Sequence, residues 1–353
     1  MLNQAATLKK DIYTTFIIDP NEIISHVTIN NNSLRDTMDN RIHLMQLNQD
    51  GSASEISVDA LAATTELVWI HVDLSAVKSL LKKIISLPHL VEEVLSNKSA
   101  RPRTIIYNDT LLATLRGVNL TKGDVPENMI SIRLWIQHNR IITVHRRNLA
   151  AITEIKSALQ RGAGPKTAAE FLEMLLYAIA DKSTDVVTSL ADNLDSIEDK
   201  LTGKLDQNNR EELSEMRRRI ILLRRFLIPQ REAIARISVD KITWLTDINM
   251  THLREIVETN TRILEDLNAE RERSIVIQEE LFARSQEAIN QKMLLVAILS
   301  VIFMPLSFVT GLLGINVGGI PGEAMHYGFM IVCVLLVMIF CVQLFYLKKK
   351  NWI

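Results

Sequence analysis

Glu272, Val276, Glu279, Ala283, Gln286 and Asn290 recur at alternating steps of four and three residues. Met293, Ala297, Ser300, Met304, Ser307, Gly311 and Gly314 carry the same series onward. A step averaging about 3.5 residues keeps one helix face toward a shared axis in a left-handed bundle. That face is small, polar or thioether-bearing, whereas its neighbours are mostly Leu, Ile, Val and Phe. Serine and asparagine oxygens could replace or orient the water around a cation. Met293 and Met304 could form apolar collars that gate by dewetting. Small residues also let membrane helices approach closely, so the stripe reads equally as a packing seam. Its continuation as Glu279, Gln286 and Asn290 favours a pore, because a coiled-coil seam would prefer apolar residues there.

Just beyond the stripe, TGLLGINVGGIPG (310–322) sets one amide, Asn316, in a glycine-rich turn. No strand precedes these glycines, so a phosphate cradle is not the reading. Gly311 and Gly314 suit close helix packing, and Gly318, Gly319, Gly322 and Pro321 suit a short reversing loop. Other chemistries lack their residues. No nucleophile motif or phosphate loop is present, which argues against an enzyme. The eight histidines are scattered without HxxxH or His/Cys spacing and read as surface or satisfied side chains. Cys333 and Cys341 both fall in the last apolar run and read as small hydrophobes.

The elements that must position the stripe follow from hydropathy. Met293–Leu313 is 21 residues without a charge and reaches ~31 Å as a helix, about one hydrocarbon core. Tyr327–Leu347 is equally long, and neither run has a polar face wide enough for a soluble core helix. Both read as transmembrane. The loop between them carries no Lys or Arg, while Lys292 and Lys348-Lys349-Lys350 flank the far ends. The positive-inside rule then places both termini in the cytoplasm and the loop outside. Glu323 is the one acid in that loop and the only formally charged residue from Met293 to Leu347. Pro305 removes one backbone hydrogen bond, which frees a carbonyl near Met304 or simply kinks the helix. Two helices cannot enclose a polar path, so conduction requires a ring-forming oligomer.

The 353-residue chain carries a formal net charge of −1, with 47% hydrophobic and 23% charged residues. Nucleic-acid binding has no compositional support. The chain divides into an α/β domain (1–165), a helical stalk (166–292), the first span (293–315), an external loop (316–326), the second span (327–347) and a basic tail (348–353). TELVWIHVDL reads as a strand and SAVKSLLKKIISL and LPHLVEEVLSN as short helices. TIIYNDTLLATLRGVNL predicts a hairpin turning at Asn108-Asp109. NMISIRLWIQHNRIITVHRR predicts another at Gln137-His138-Asn139. Neither Gly nor Pro occurs between Gln230 and Met304, so one helix from about Asp247 can run into the first span. The run RRRIILLRR (217–225) reads as a solvated face paired with Glu211, Glu212 and Glu215.

A long helix, FMPLSFVTGLLGIN, a short loop, a second span and a terminal KKKNWI together resemble the CorA-type divalent metal ion transporter family. The order of elements agrees over essentially the whole chain. The family's hallmark at the outer end of the first span is Gly-Met-Asn, and this chain has Gly314-Ile315-Asn316, matching at Gly and Asn. VGGIPG, ARPRTIIYNDTLLATLRGVNL and NMISIRLWIQHNRIITVHRRNL resemble the zinc-transporter (ZntB-like) branch. The resemblance implies a homopentameric funnel in the lipid bilayer of a bacterial inner membrane. First spans would line the pore and second spans surround it. Asn316 would join a ring of five amides holding a hydrated cation, with Asn290, Met293, Ser300, Met304 and Ser307 facing the pore below. The implied cargo is Zn²⁺, with or without proton coupling, and no cofactor is implied. The oxygen-rich stripe fits a hydrated Mg²⁺ as well, so a Mg²⁺/Co²⁺ channel is the alternative. A non-conducting membrane scaffold or regulator is the alternative from another class. Asp181, Asp185, Glu272 and Glu279 are candidates for regulatory cations, against a solvated stalk face.

Overall fold

The computed structural model describes residues 41–77, 85, 87–97, 101–121, 123–201, 207–315 and 326–350. Seven strands among them form one sheet: β1 (Ile42–Leu47), β2 (Ala53–Glu55), β3 (Val68–Asp73), β4 (Arg103–Tyr107), β5 (Thr110–Gly117), β6 (Ile130–Gln137) and β7 (Arg140–His145). Their order is β2-β1-β3-β7-β6-β5-β4. The β3–β7 pair is parallel and the other pairs are antiparallel. β3 is buried along nearly its whole length because both faces of the sheet are covered.

The turns explain the hairpins. Asn108 and Asp109 both take positive φ, 46° and 57°, the two-residue turn whose twist matches the flanking strands. Asp109 also anchors the hairpin, accepting from the Thr243 backbone N–H at 2.9 Å and from Trp244 Nε1 at 2.8 Å. The second hairpin turns on His138-Asn139 alone, because Gln137 pairs with Arg140 in the ladder.

On one face lie α1 (Val58–Ala63) and α2 (His89–Ser96), packing Leu61, Val91, Val94 and Leu95 against Ile70, Val72 and Trp135. Pro88 occupies the N-cap position of α2. Of SAVKSLLKKIISL, most lies outside the described residues; its start, Ser75-Ala76, belongs to a 3₁₀ turn at Leu74–Ala76. The other face carries the larger core. It draws on α3 (Ala150–Gln160), α4 (Ala168–Leu201), α5 (Gln207–Ile237) and α6 (Asp247–Leu313). Trp69 meets Phe171 edge-to-face, ring centroids 4.9 Å apart. In α5, Leu213, Ile220, Leu223 and Leu227 are buried at helical spacing, which is why that segment reads clearly as amphipathic.

α6 runs 67 residues without a break, as the absence of glycine and of any proline before Pro305 predicts. The final helix, α7, covers Gly328–Lys349. The chain divides into two compact units. One holds the sheet, the helices around it and α6 as far as Ile275; the other holds the chain from Val276 on together with Leu201–Arg210.

Candidate functional site

The helical stripe is exposed throughout the single chain, from Glu272 to Gly314. Met293 and Met304 are 64% and 71% exposed. The covered residues of α6 beyond Asn290 are Ile298, Ile302, Leu306, Val309 and Leu313. Those of α7 include Val332, Leu336, Ile339, Gln343 and Leu347. Gln343 Nε2 donates to the Val301 carbonyl at 3.3 Å, so these two covered faces meet. At about 100° per residue, the covered positions of α6 lie within about 40° of Ile302. The positions from Met293 to Gly311 fall about 140–220° away, on the opposite side. α7 therefore leaves the stripe open.

Ser300 shows what that face can offer. Its hydroxyl donates backward to the Val296 carbonyl at 2.9 Å. The hydrogen is committed to the helix, and the oxygen lone pairs are left for a ligand. An outward lone pair suits a cation or a cation's water. Thr310 is similarly turned inward, its hydroxyl reaching Leu306 and Ser307 carbonyls at 3.0 and 3.1 Å. A Cβ added at Gly311 would meet nothing within the chain, whereas one at Gly314 would press on the Thr310 carbonyl at 3.0 Å. Ile315 is 49% exposed at the helix end. Asn316 and Glu323 lie outside the described residues.

Pro305 sits inside α6 without ending it. The carbonyl it frees belongs to Val301, four residues back, rather than to a residue beside Met304. That carbonyl faces Gln343 of α7 and not the open stripe.

α6 and α7 are long and apolar enough to cross a membrane, and only 6% of the most apolar window of each is buried. The low burial excludes the core helix of a soluble domain, which would be covered by its own chain.

In the stalk, the candidate carboxylates have local partners. Lys182 Nζ lies 2.8 Å from Asp181 and 3.6 Å from Asp185. Glu272 pairs with Arg271, and Glu279 is exposed. No group of three His, Cys, Asp or Glu side chains placed to hold a metal occurs among the described residues. Arg273 ties α6 to α4 through Asp195 and Glu198. In the basic run, Arg218 meets Glu215 at 3.2 Å, but Arg219 reaches Glu127, far away in sequence and buried.

Sequence reasoning missed one cluster. His43, His71 and His145, on β1, β3 and β7, stack across the sheet, with ring centroids 6.2 Å and 4.2 Å apart. The His71 and His145 planes are nearly parallel, at 10°, so their nitrogens do not converge on one point as metal ligands would. Thr143 Oγ1 accepts from Trp69 Nε1 at 2.8 Å and lies 2.7 Å from His71 Nδ1. His145 Nδ1 donates to the Val72 carbonyl at 3.1 Å. Burial is the main cause that pushes all three imidazoles below their usual pKa, with the Lys156 ammonium adding to it. Strand register brings these residues together, and register is not visible in spacing.

Known proteins match along nearly the whole architecture. The chain is 32% identical over 316 residues to the zinc transport protein ZntB of Pectobacterium atrosepticum, covering 88% of this chain and 96% of the relative. It is 34% identical over 292 residues to the divalent cation transporter CmaX of Pseudomonas aeruginosa, covering 82% and 88%. The solved structure of full-length CmaX protein superposes with a TM-score of 0.74 at 33% identity, covering 88% of this chain and 97% of that one. Residues 64–349, which take in the sheet from β3 onward, the stalk and both apolar helices, match the family described as CorA-like Mg2+ transporter protein. The chain belongs to that family.

Proposed function

We propose that this protein moves Zn²⁺ across a bacterial inner membrane through the central pore of a homopentamer, with both termini in the cytoplasm. The observation that carries the reading is the stripe from Asn290 to Gly311, left exposed opposite the face that α7 covers. A face so small and polar is out of place against lipid, and a ring of copies would turn it to a shared lumen. Ser300 and Ser307 supply oxygens there. Met293 and Met304 form the apolar narrowings. Gly314-Ile315-Asn316 forms the outer mouth, where an amide oxygen holds a hydrated cation without trapping it. Zinc is supported by the names of the ZntB relatives.

A second reading has its own observation. The stripe offers oxygen and thioether but no imidazole or thiolate. Zn²⁺ prefers His, Cys and carboxylate when it sheds water, whereas Mg²⁺ keeps its water and takes oxygen. The family description names Mg²⁺, and a Mg²⁺/Co²⁺ channel follows from it. Uptake of Zn²⁺, Mg²⁺ and Co²⁺ into proteoliposomes, with and without a pH gradient, separates the two. Zn²⁺ uptake above the others supports the first reading, and acceleration by the gradient adds proton coupling. If no divalent cation moves under any condition, both readings fail and a non-conducting membrane scaffold takes their place. Asn316→Ala abolishes uptake in either transport reading and changes nothing in the scaffold.

A further inference from the structure

The loose end in α6 is the Val301 carbonyl. Pro305 has no N–H, so Val301 lacks its intrahelical donor. Within hydrocarbon no water replaces it, and an orphaned carbonyl there is costly. Gln343 lies 42 residues away in sequence, and its Nε2 donates to this carbonyl at 3.3 Å. Gln343 is the only amide in the apolar run from Phe329 to Phe345. It stands on the covered side of α7, between Ile339 and Leu347. Its Oε1 is buried and has no partner among the described residues. An amide placed in an apolar helix with its oxygen left without a partner needs a reason to be there, and the proline-freed carbonyl provides one.

We infer that Gln343 is a positioning residue for cation passage: it clamps the second span to the proline turn of the first. Ser307 and Gly311 lie just beyond Pro305. The course of α6 past that proline decides where they stand. Gln343 does not touch the ion and acts through Val301. The transport arm of its test rests on the pore reading above; the hydrogen bond itself does not.

The test is a double-mutant cycle on the full-length protein, read as uptake in proteoliposomes and as thermal unfolding in detergent. Gln343→Met keeps length and apolar bulk but removes the donor. In the Pro305 background it lowers maximal uptake about tenfold, the equivalent of one hydrogen bond, and leaves KM unchanged. It also lowers the Tm. Pro305→Ala gives Val301 an intrahelical donor, so Gln343→Met in that background changes uptake and Tm little. Equal losses in both backgrounds overturn the inference, as does no loss in the Pro305 background. Where Pro305→Ala is itself inactive, the Tm arm decides by the same comparison. If the wild-type protein moves no cation, the pore reading falls, and coupled Tm losses still establish the clamp.

Discussion

Ser300 and Gly311 are the residues where the pore reading is most exposed to failure. The Ser300 hydroxyl is held by Val296, so Ser300→Ala deletes an outward oxygen and leaves the backbone ladder of α6 intact. Uptake should fall about tenfold for a lost charge-assisted contact, with stability unchanged within about 0.5 kcal/mol. Unaltered uptake would remove Ser300 from the path. Gly311→Leu places its side chain where this chain offers no neighbour. Flux should stop while the Tm holds, because only other copies can object; full uptake would show that no lumen is there. These two residues were legible in the sequence because a repeat near 3.5 survives into structure as one face. Gln343 was not legible. A lone amide in an apolar run looks like tolerated noise until the orphan it answers is known, and the orphan is set by Pro305 on another helix.

At the scale of elements, β-branched and aromatic density predicted β3, turn residues predicted both hairpins, and the missing glycine and proline predicted α6. What the sequence could not give was which strands lie side by side. The contact of β3 with β7 is a parallel pairing across about 70 residues of chain, and together with the β1–β3 pairing that sets His43 opposite His71 it creates the histidine row. That row has a consequence for stability. His71 is 2% exposed, and its pKa is lowered well below 6.5 by burial, then by His145, Lys156 and His43. Asp73 opposes this for His145, and Glu55 for His43. In the unfolded chain the same imidazole titrates near about 6.5. Between the two values the unfolded state binds the proton and the folded state does not, so stability is retained above about pH 6.5 and declines as pH falls below it. Melting the detergent-solubilised protein between pH 7.5 and 5 should show the decline, and His71→Gln should flatten it. Parallel slopes for the two proteins would sink the assignment. The contact between α5 and the loop before β6 makes a separate prediction. Glu127 has a side chain 1% exposed, and Arg219 is its charge partner. Arg219→Met strands that carboxylate and should cost about 3–5 kcal/mol, read as a large drop in Tm. Adding Glu127→Leu should recover much of it, since an apolar pair of similar volume needs no counter-charge.

For the whole molecule, the question is what the stripe faces. A single chain shows it open, and lipid and a lumen would both leave it so. Position around the helix separates them. Leu299 and Leu312 are exposed too, but they lie off the stripe, about 60° and 280° around from Ile302 against about 160° and 140° for Ser300 and Ser307. Native Cys333 and Cys341 belong to α7 and can be replaced first. Single cysteines introduced at Ser300, Met304, Ser307 and Gly311 should then react with a charged, membrane-impermeant thiol reagent, and reaction should block uptake. Cysteines introduced at Leu299 and Leu312 should stay unmodified, because a charged reagent does not enter hydrocarbon. Oxidation of the Ser307→Cys variant should also join neighbouring copies across a narrow axis, giving covalent dimers on a denaturing gel. The reverse pattern, reaction at the leucine positions and silence along the stripe, would turn the series into a packing seam and leave the cation path elsewhere.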